Sequence, residues 1–202
     1  HHELVFSADD LVEILPHVIY HLESADVDLV RSALPTHFAT TLARRHVKAV
    51  LTGEGADELF AGYAYHHAYA RKPRALADEL TRSLGAMHNI NLQRVDRITM
   101  AQGLEARTPF LDRELIDFAQ SIPASLKMKI TDAATQETTE KWILRKACED
   151  LLPADLVWRR KSQFDEGSGT VDVLNEALSR RLGVTPVVDR ESEGGLYERI
   201  LR

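Results

Sequence analysis

Ala49-Val50-Leu51-Thr52-Gly53-Glu54-Gly55-Ala56-Asp57-Glu58-Leu59-Phe60-Ala61-Gly62-Tyr63 is the stretch from which the rest of the chain is read. An apolar run, Ala49-Val50-Leu51, stops at Thr52. Gly53-Glu54-Gly55 has the composition of a tight turn, and Ala56 to Phe60 has the propensity of a helix start. Strand, glycine turn, helix is a geometry that collects anions, because the first N–H groups of a helix lack internal partners. This turn is nevertheless acidic, with Glu54, Asp57 and Glu58 close together. Carboxylates beside a phosphate repel it unless a cation stands between them or one of them has another task, such as moving a proton. Acids in a first helical turn also complement the helix dipole, so spacing alone leaves both readings open.

The flanks of this stretch read as an α/β chain. His1 to Phe6 looks like a short strand. Ser7 with Asp9 and Asp10 looks like a helix cap, and Leu11, Ile14, Leu15, Val18, Ile19 and Leu22 have helical spacing that Pro16 should kink or split. Pro35 suits the start of the next helix, whose apolar face is Phe38, Ala39, Leu42 and Ala43. It leads to a strand at 47–51. After Tyr63, residues 64–87 read as helical with a break near Pro73. His66 and His67 read as surface residues or as residues behind the site. Gln93 to Arg107 reads as a helix stopped by Pro109, and Asp112 as the cap of the next one. Lys141–Leu152 reads as an amphipathic helix ended by Pro153. Trp158 to Gly169 places Arg159, Arg160 and Lys161 ahead of two glycines. Glycine lets backbone approach a ligand closely, and lysine is a point charge suited to phosphate. The tail after Gly183 is weakly patterned: Glu191–Gly195 reads as polar and mobile, and Leu196–Leu201 as a closing helical turn.

The 202 residues suffice for one domain with a sizeable core. A net charge of −6 argues against binding nucleic acid through general basicity. No apolar run approaches the roughly 20 residues of a membrane span, and there is no signal-peptide pattern. The one cysteine, Cys148, excludes an internal disulfide and a cysteine-rich metal site, and its place in a helical pattern reads as a core thiol. A cytoplasmic protein with no membrane or nucleic-acid partner is expected.

Thr52 to Tyr63 closely resembles the signature of the synthetase domain of glutamine-hydrolysing asparagine synthetases, Ser-Gly-Glu-Gly-(Ser/Ala)-Asp-Glu-(Leu/Val)-Phe-Gly-Gly-Tyr. Thr52 and Ala61 are small departures from it. Arg94-Val95-Asp96-Arg97, the run from Met100 to Asp112, and Trp158 to Gly169 are similar to further stretches of the same family. The resemblance implies an α/β fold: the mostly helical portion of an adenine-nucleotide alpha-hydrolase-like synthetase domain (PP-loop ATP pyrophosphatase, Rossmann-like). It implies ATP and Mg²⁺ as cofactors. The acid would be aspartate or another small carboxylic acid, activated as an acyl-adenylate. Ammonia from a glutaminase domain or partner chain would attack it. On this resemblance Glu54 lies beside the activated carboxylate and Lys161 neutralises the leaving pyrophosphate. Thr52, Gly53 and Gly55 contact ATP, Asp57 with Glu58 holds Mg²⁺, and Arg107 with Glu105 frames the pocket. Relatives that adenylate another acid, of the β-lactam synthetase or lasso-peptide cyclase type, and a non-catalytic subunit are the competing readings.

The family's pyrophosphate loop, Ser-Gly-Gly-x-Asp-Ser, and its glutaminase domain have no counterpart in the sequence. Residues 1–202 are therefore expected to be the carboxy-terminal portion of an asparagine synthetase domain, inactive alone. A homodimer, or a partner chain supplying the upstream half, is the expected assembly.

Overall fold

The computed structural model describes residues 1–132, 134–135, 137–162, 164–182 and 190–202. In chain order its longer elements are α1 (Ala8–Leu22), α2 (Val27–Ala43), β1 (Ala49–Leu51), α3 (Ala56–Phe60), α4 (Pro73–Ala86), α5 (Asn91–Ala101), β2 (Glu105–Arg107) and α6 (Arg113–Ser121). Then follow α7 (Ala124–Lys127), β3 (Lys129–Ile130), β4 (Thr138–Thr139), α8 (Trp142–Ala147), α9 (Ala154–Val157), α10 (Phe164–Gly167), α11 (Thr170–Leu182) and α12 (Arg190–Leu201). The fold is mostly helical, and β1 and β2 pair as one small sheet. Among the described residues no helix is long and apolar enough to cross a membrane.

The chain divides into two compact units. The first comprises residues 1–50, 89–107 and 162–202. Its core packs α1, α2, α5, α11 and α12 around Leu11, Leu15, Ile19, Val30, Leu34, Ile98, Leu174 and Tyr197. Ser7 starts α1 as expected: its hydroxyl accepts from the Asp10 N–H, while the Asp10 carboxylate accepts from the Ser7 N–H at 2.7 Å.

Several local expectations fail. α1 runs unbroken through Pro16, and α2 starts at Val27 rather than Pro35, capped by the Asp26 carboxylate on the Leu29 N–H. An interior proline costs roughly 3 kcal/mol, and each fully buried large apolar side chain returns about 1.5–3 kcal/mol. Leu15, Val18 and Ile19 in α1, and Val30 and Leu34 in α2, are all essentially inaccessible, so packing outweighs propensity. Residues 1–6 form no strand; Val5 is exposed, and Phe6 stacks on Phe38 with ring centroids 4.6 Å apart. α5 ends at Ala101, and Gly103, with φ +64°, turns the chain into β2, where helix was expected up to Pro109. Glu191–Gly195 is helical. In α12 the fully buried Glu193 carboxylate takes Arg31 Nε at 3.0 Å and the Tyr197 hydroxyl, which satisfies a charge that would otherwise oppose burial.

His37 is nearly inaccessible in this unit and faces the His17 ring at 5.5 Å, which itself meets His21 at 4.4 Å. Gln102 Nε2 lies 3.2 Å from His37 Nδ1, where the neutral ring accepts the amide proton. Burial, and then His17 and His21, push His37 down to about 4. A base depressed in the folded state takes up protons on unfolding, so its stabilisation is complete above the unfolded value and is lost as pH falls from about 6.5 toward 4. Unfolding free energy is expected to fall by about 2–3 kcal/mol over that window, and His37→Gln should flatten the profile. Denaturant titrations at several pH values check this; an equal slope in the variant removes His37 as the cause.

The second unit comprises residues 51–88 and 108–161. Leu59, Phe60 and Ala119 form one buried cluster, with Phe110 and Ile143 against it; Ala61, Leu76, Leu80, Ala124 and Met128 form another. Pro73 opens α4 from its first turn, and the Asp112 carboxylate caps α6 on the Glu114 and Leu115 N–H groups, both as expected. β3 and β4 pair antiparallel, Lys129 opposite Thr139, with the Lys129 ammonium 3.9 Å above the Trp142 ring. α8 is shorter than expected and ends at Ala147, which leaves Cys148 half-buried instead of in the core.

Candidate active site

The turn after β1 has the expected glycine chemistry. Gly55 has φ +95°, a conformation that costs an L side chain about 1–2 kcal/mol. A Cβ there would also stand 2.5 Å from Leu111 Cδ2. Gly55 therefore fixes the turn against Phe110 and Leu111, residues of the Pro-Phe-Leu-Asp run. Gly53 has open space around it. The Thr52 hydroxyl oxygen is buried and has no hydrogen-bond partner among the described residues.

α3 is only five residues long. So short a helix sums few peptide dipoles, and positive potential must come from elsewhere. It comes from two ammonium groups on Asp57. Lys141 Nζ stands 2.7 Å from Oδ1, and Lys161 Nζ 3.2 Å from Oδ2. Burial raises the Asp57 carboxyl, but Lys141 and Lys161 outweigh it and hold the group below the usual carboxylate range. The arrangement is an ionised carboxylate flanked by two cations, with Lys161 a third exposed and Lys141 and Asp57 about a fifth.

Lys161 is where the sequence pointed. Lys141 pairs with Asp57 in this candidate site, and the sequence reading missed it. It is held in the left-handed region at φ +54°, and its N–H donates to the Phe60 carbonyl at 3.1 Å. A non-glycine residue in that conformation marks local strain that the surroundings maintain. The only local signal was a lysine at the head of an amphipathic pattern, which is ordinary.

Gly62 closes the arrangement. A Cβ built on it would overlap Asp57 Oδ1 and Lys141 Cε, so the ion pair fills the space that a side chain would take. Here glycine serves close approach rather than an unusual φ.

Asp57 and Glu58 do not converge on one point. The Glu58 carboxylate is buried and accepts the Tyr63 hydroxyl. Among the described residues no three His, Cys, Asp or Glu side chains are grouped to hold a metal. Asp57 fits as a single carboxylate ligand of the kind that Mg²⁺ takes when phosphate oxygens supply the rest; an Asp57–Glu58 pair does not. Glu54 is half-buried in the turn. His66, also in the second unit, is fully buried, and its Nδ1 accepts the Tyr63 N–H at 3.3 Å, whereas His67 is exposed.

Arg107 belongs to the first unit, at the end of β2, and is exposed with its Nε 2.9 Å from Glu105 Oε1. Arg97 pairs with Glu23 at 2.7 Å, and Arg94 is buried beside Thr36. The three arginines thus have separate environments within that unit.

The family model of asparagine synthase matches residues 1–84 and 69–200. The chain is 40% identical over 174 residues to an asparagine synthetase [glutamine-hydrolyzing] of Triphysaria versicolor, covering 84% of this chain and 29% of that protein. It is 36% identical over 196 residues to asparagine synthetase [glutamine-hydrolyzing] 3 of Arabidopsis thaliana, covering 94% and 33%. Against asparagine synthetase B [glutamine-hydrolyzing] of Escherichia coli (strain K12) it is 36% identical over 185 residues, covering 90% and 32%. The chain spans about a third of the length of the curated relatives it matches. The glycine turn, the acid between two lysines and a family match along nearly the whole sequence lead to one conclusion: this chain belongs to the asparagine synthase family.

Proposed function

We propose that the chain forms the carboxy-terminal portion of a synthetase domain of the PP-loop type that makes asparagine from aspartate, ATP and ammonia. Aspartate would attack the α-phosphorus of ATP, forming β-aspartyl-adenylate and releasing pyrophosphate. Ammonia would then attack the acyl carbon and expel AMP. The relatives are named for glutamine hydrolysis, which makes glutamine the ammonia source we infer.

The observation that carries the reading is Asp57 held between Lys141 and Lys161 beside the glycine turn. Lys161, the more exposed ammonium, would move to the departing pyrophosphate, while Lys141 keeps Asp57 ionised. The unpartnered Thr52 hydroxyl suits a nucleotide oxygen, and Gly53 and Gly55 let the backbone approach it. Asp57 would hold Mg²⁺, which when bound would supply neutralisation of phosphate charge. Glu58 would act through α3, positioning Asp57. Glu54 would stabilise or deprotonate the incoming ammonium-like nitrogen.

The test is Mg²⁺-dependent ATP–pyrophosphate exchange with aspartate, on the chain together with the expected upstream half. Exchange stimulated by aspartate, and lost at least a hundredfold in Lys161→Met, is expected. Exchange driven only by another acid would move the protein to the adenylating relatives. ATP binding without exchange for any acid would sink the enzymatic reading.

A further inference from the structure

The second unit holds a cavity that the proposed chemistry does not use. Its volume is about 230 Å³, and Leu80, Leu84, Ile122, Glu58, Gln120 and Lys127 are among its walls. Lys127, the last residue of α7, is only 4% exposed. Among the described residues its ammonium has no ion-pair or hydrogen-bond partner. Burial pushes it below the ordinary lysine range. Its side chain shares the cavity walls with Glu58, and a mostly buried ammonium facing a cavity gains from an anion placed beside it.

We propose that this cavity is a binding site for a small carboxylate with an apolar body, its carboxylate paired with Lys127. The volume lies below the ~300–1,000 Å³ of pockets for drug-sized ligands, which limits the occupant to a short chain. Leu80, Leu84 and Ile122 supply the apolar contact, and Gln120 a second polar group. A single ammonium matches a monoanion. Glu58, which accepts the Tyr63 hydroxyl, places negative charge on another wall and disfavours a phosphate dianion there. The same wall favours a ligand that also carries an amino group, so the source is either a simple fatty acid or an apolar amino acid.

Titration calorimetry with 4-methylpentanoate, its amide and leucine tests this. Saturable binding of the acid with Kd at or below about 1 mM is expected, with the neutral amide at least tenfold weaker. Leucine binding as tightly as the acid, or more so, would identify an amino acid as the natural source; weaker leucine binding would identify the simple acid. Lys127→Met, close in shape and uncharged, should weaken the acid tenfold or more and leave the amide unchanged. Equal affinity for acid and amide in the unaltered protein, or no saturation with either acid, overturns the proposal. That comparison does not depend on any variant folding.

Discussion

Gly62→Ala is expected to destabilise the second unit by about 2–3 kcal/mol. Breaking a buried ion pair by displacing one partner costs roughly 3–5 kcal/mol, and the estimate is reduced because Asp57 and Lys141 are each about a fifth exposed. The added methyl would otherwise be mildly favourable: at a position with ordinary backbone angles, Gly→Ala gains about 0.4–1 kcal/mol by restricting the unfolded chain. The sign of the change therefore reports whether Asp57 and Lys141 occupy the space beside Gly62. Denaturant unfolding of the variant gives the answer directly. A neutral or stabilising result would mean that the pair yields without cost. If the variant folds, its pyrophosphate exchange should fall with Asp57 displaced, and a normal exchange rate would remove the Asp57–Lys141 pair from the proposed chemistry.

On the proposed function, and in the chain assembled with the expected upstream half, Glu54→Gln is expected to lower amide formation by about a thousandfold, the scale of losing one electrostatic partner of a developing charge. The substitution preserves size and removes the negative charge and the basic oxygen. Glu54 lies in a turn rather than inside a core cluster, so unfolding free energy should change by less than about 0.5 kcal/mol. ATP–pyrophosphate exchange should persist, because it precedes the attack of ammonia. This split locates Glu54 at the second half-reaction. Loss of exchange and amide formation together would instead place Glu54 at nucleotide binding, and near-normal amide formation would remove it from the chemistry.

Asp57 between two lysines also explains why a five-residue helix suffices at this turn. A long helix would bring a dipole; here the lysines carry the positive charge, and Asp57 sets their spacing. Lys141 is pinned at the backbone through the Phe60 carbonyl, which ties its ammonium to the end of the helix that presents Asp57. Lys161 has no such anchor among the described contacts and is the more exposed of the two. That asymmetry suits one structural and one mobile cation.

The sequence by itself determined what depends on neighbours a few residues apart. The Ser7–Asp10 box and the Asp112 cap are contacts between residues two or three apart, so residue type and spacing suffice. The Gly53–Gly55 turn, and Thr52, Glu54, Asp57 and Lys161 as site candidates, were legible because an uncommon order of residues carries more information than periodicity. What only the tertiary structure decided depends on distant partners. Pro16 and Pro35 stay inside helices because buried leucines, isoleucines and valines outweigh a local penalty. Glu193 turns a polar stretch into a packed helix because Arg31, far away in the chain, meets its carboxylate. Lys141 reaches Asp57, and Gly62 must be glycine, only once α3 and α8 are brought together; an ion pair across such a separation leaves no periodic trace in sequence. Glu58 and Asp57, adjacent in sequence and expected to share one cation, diverge because neighbouring side chains on a helix point about 100° apart.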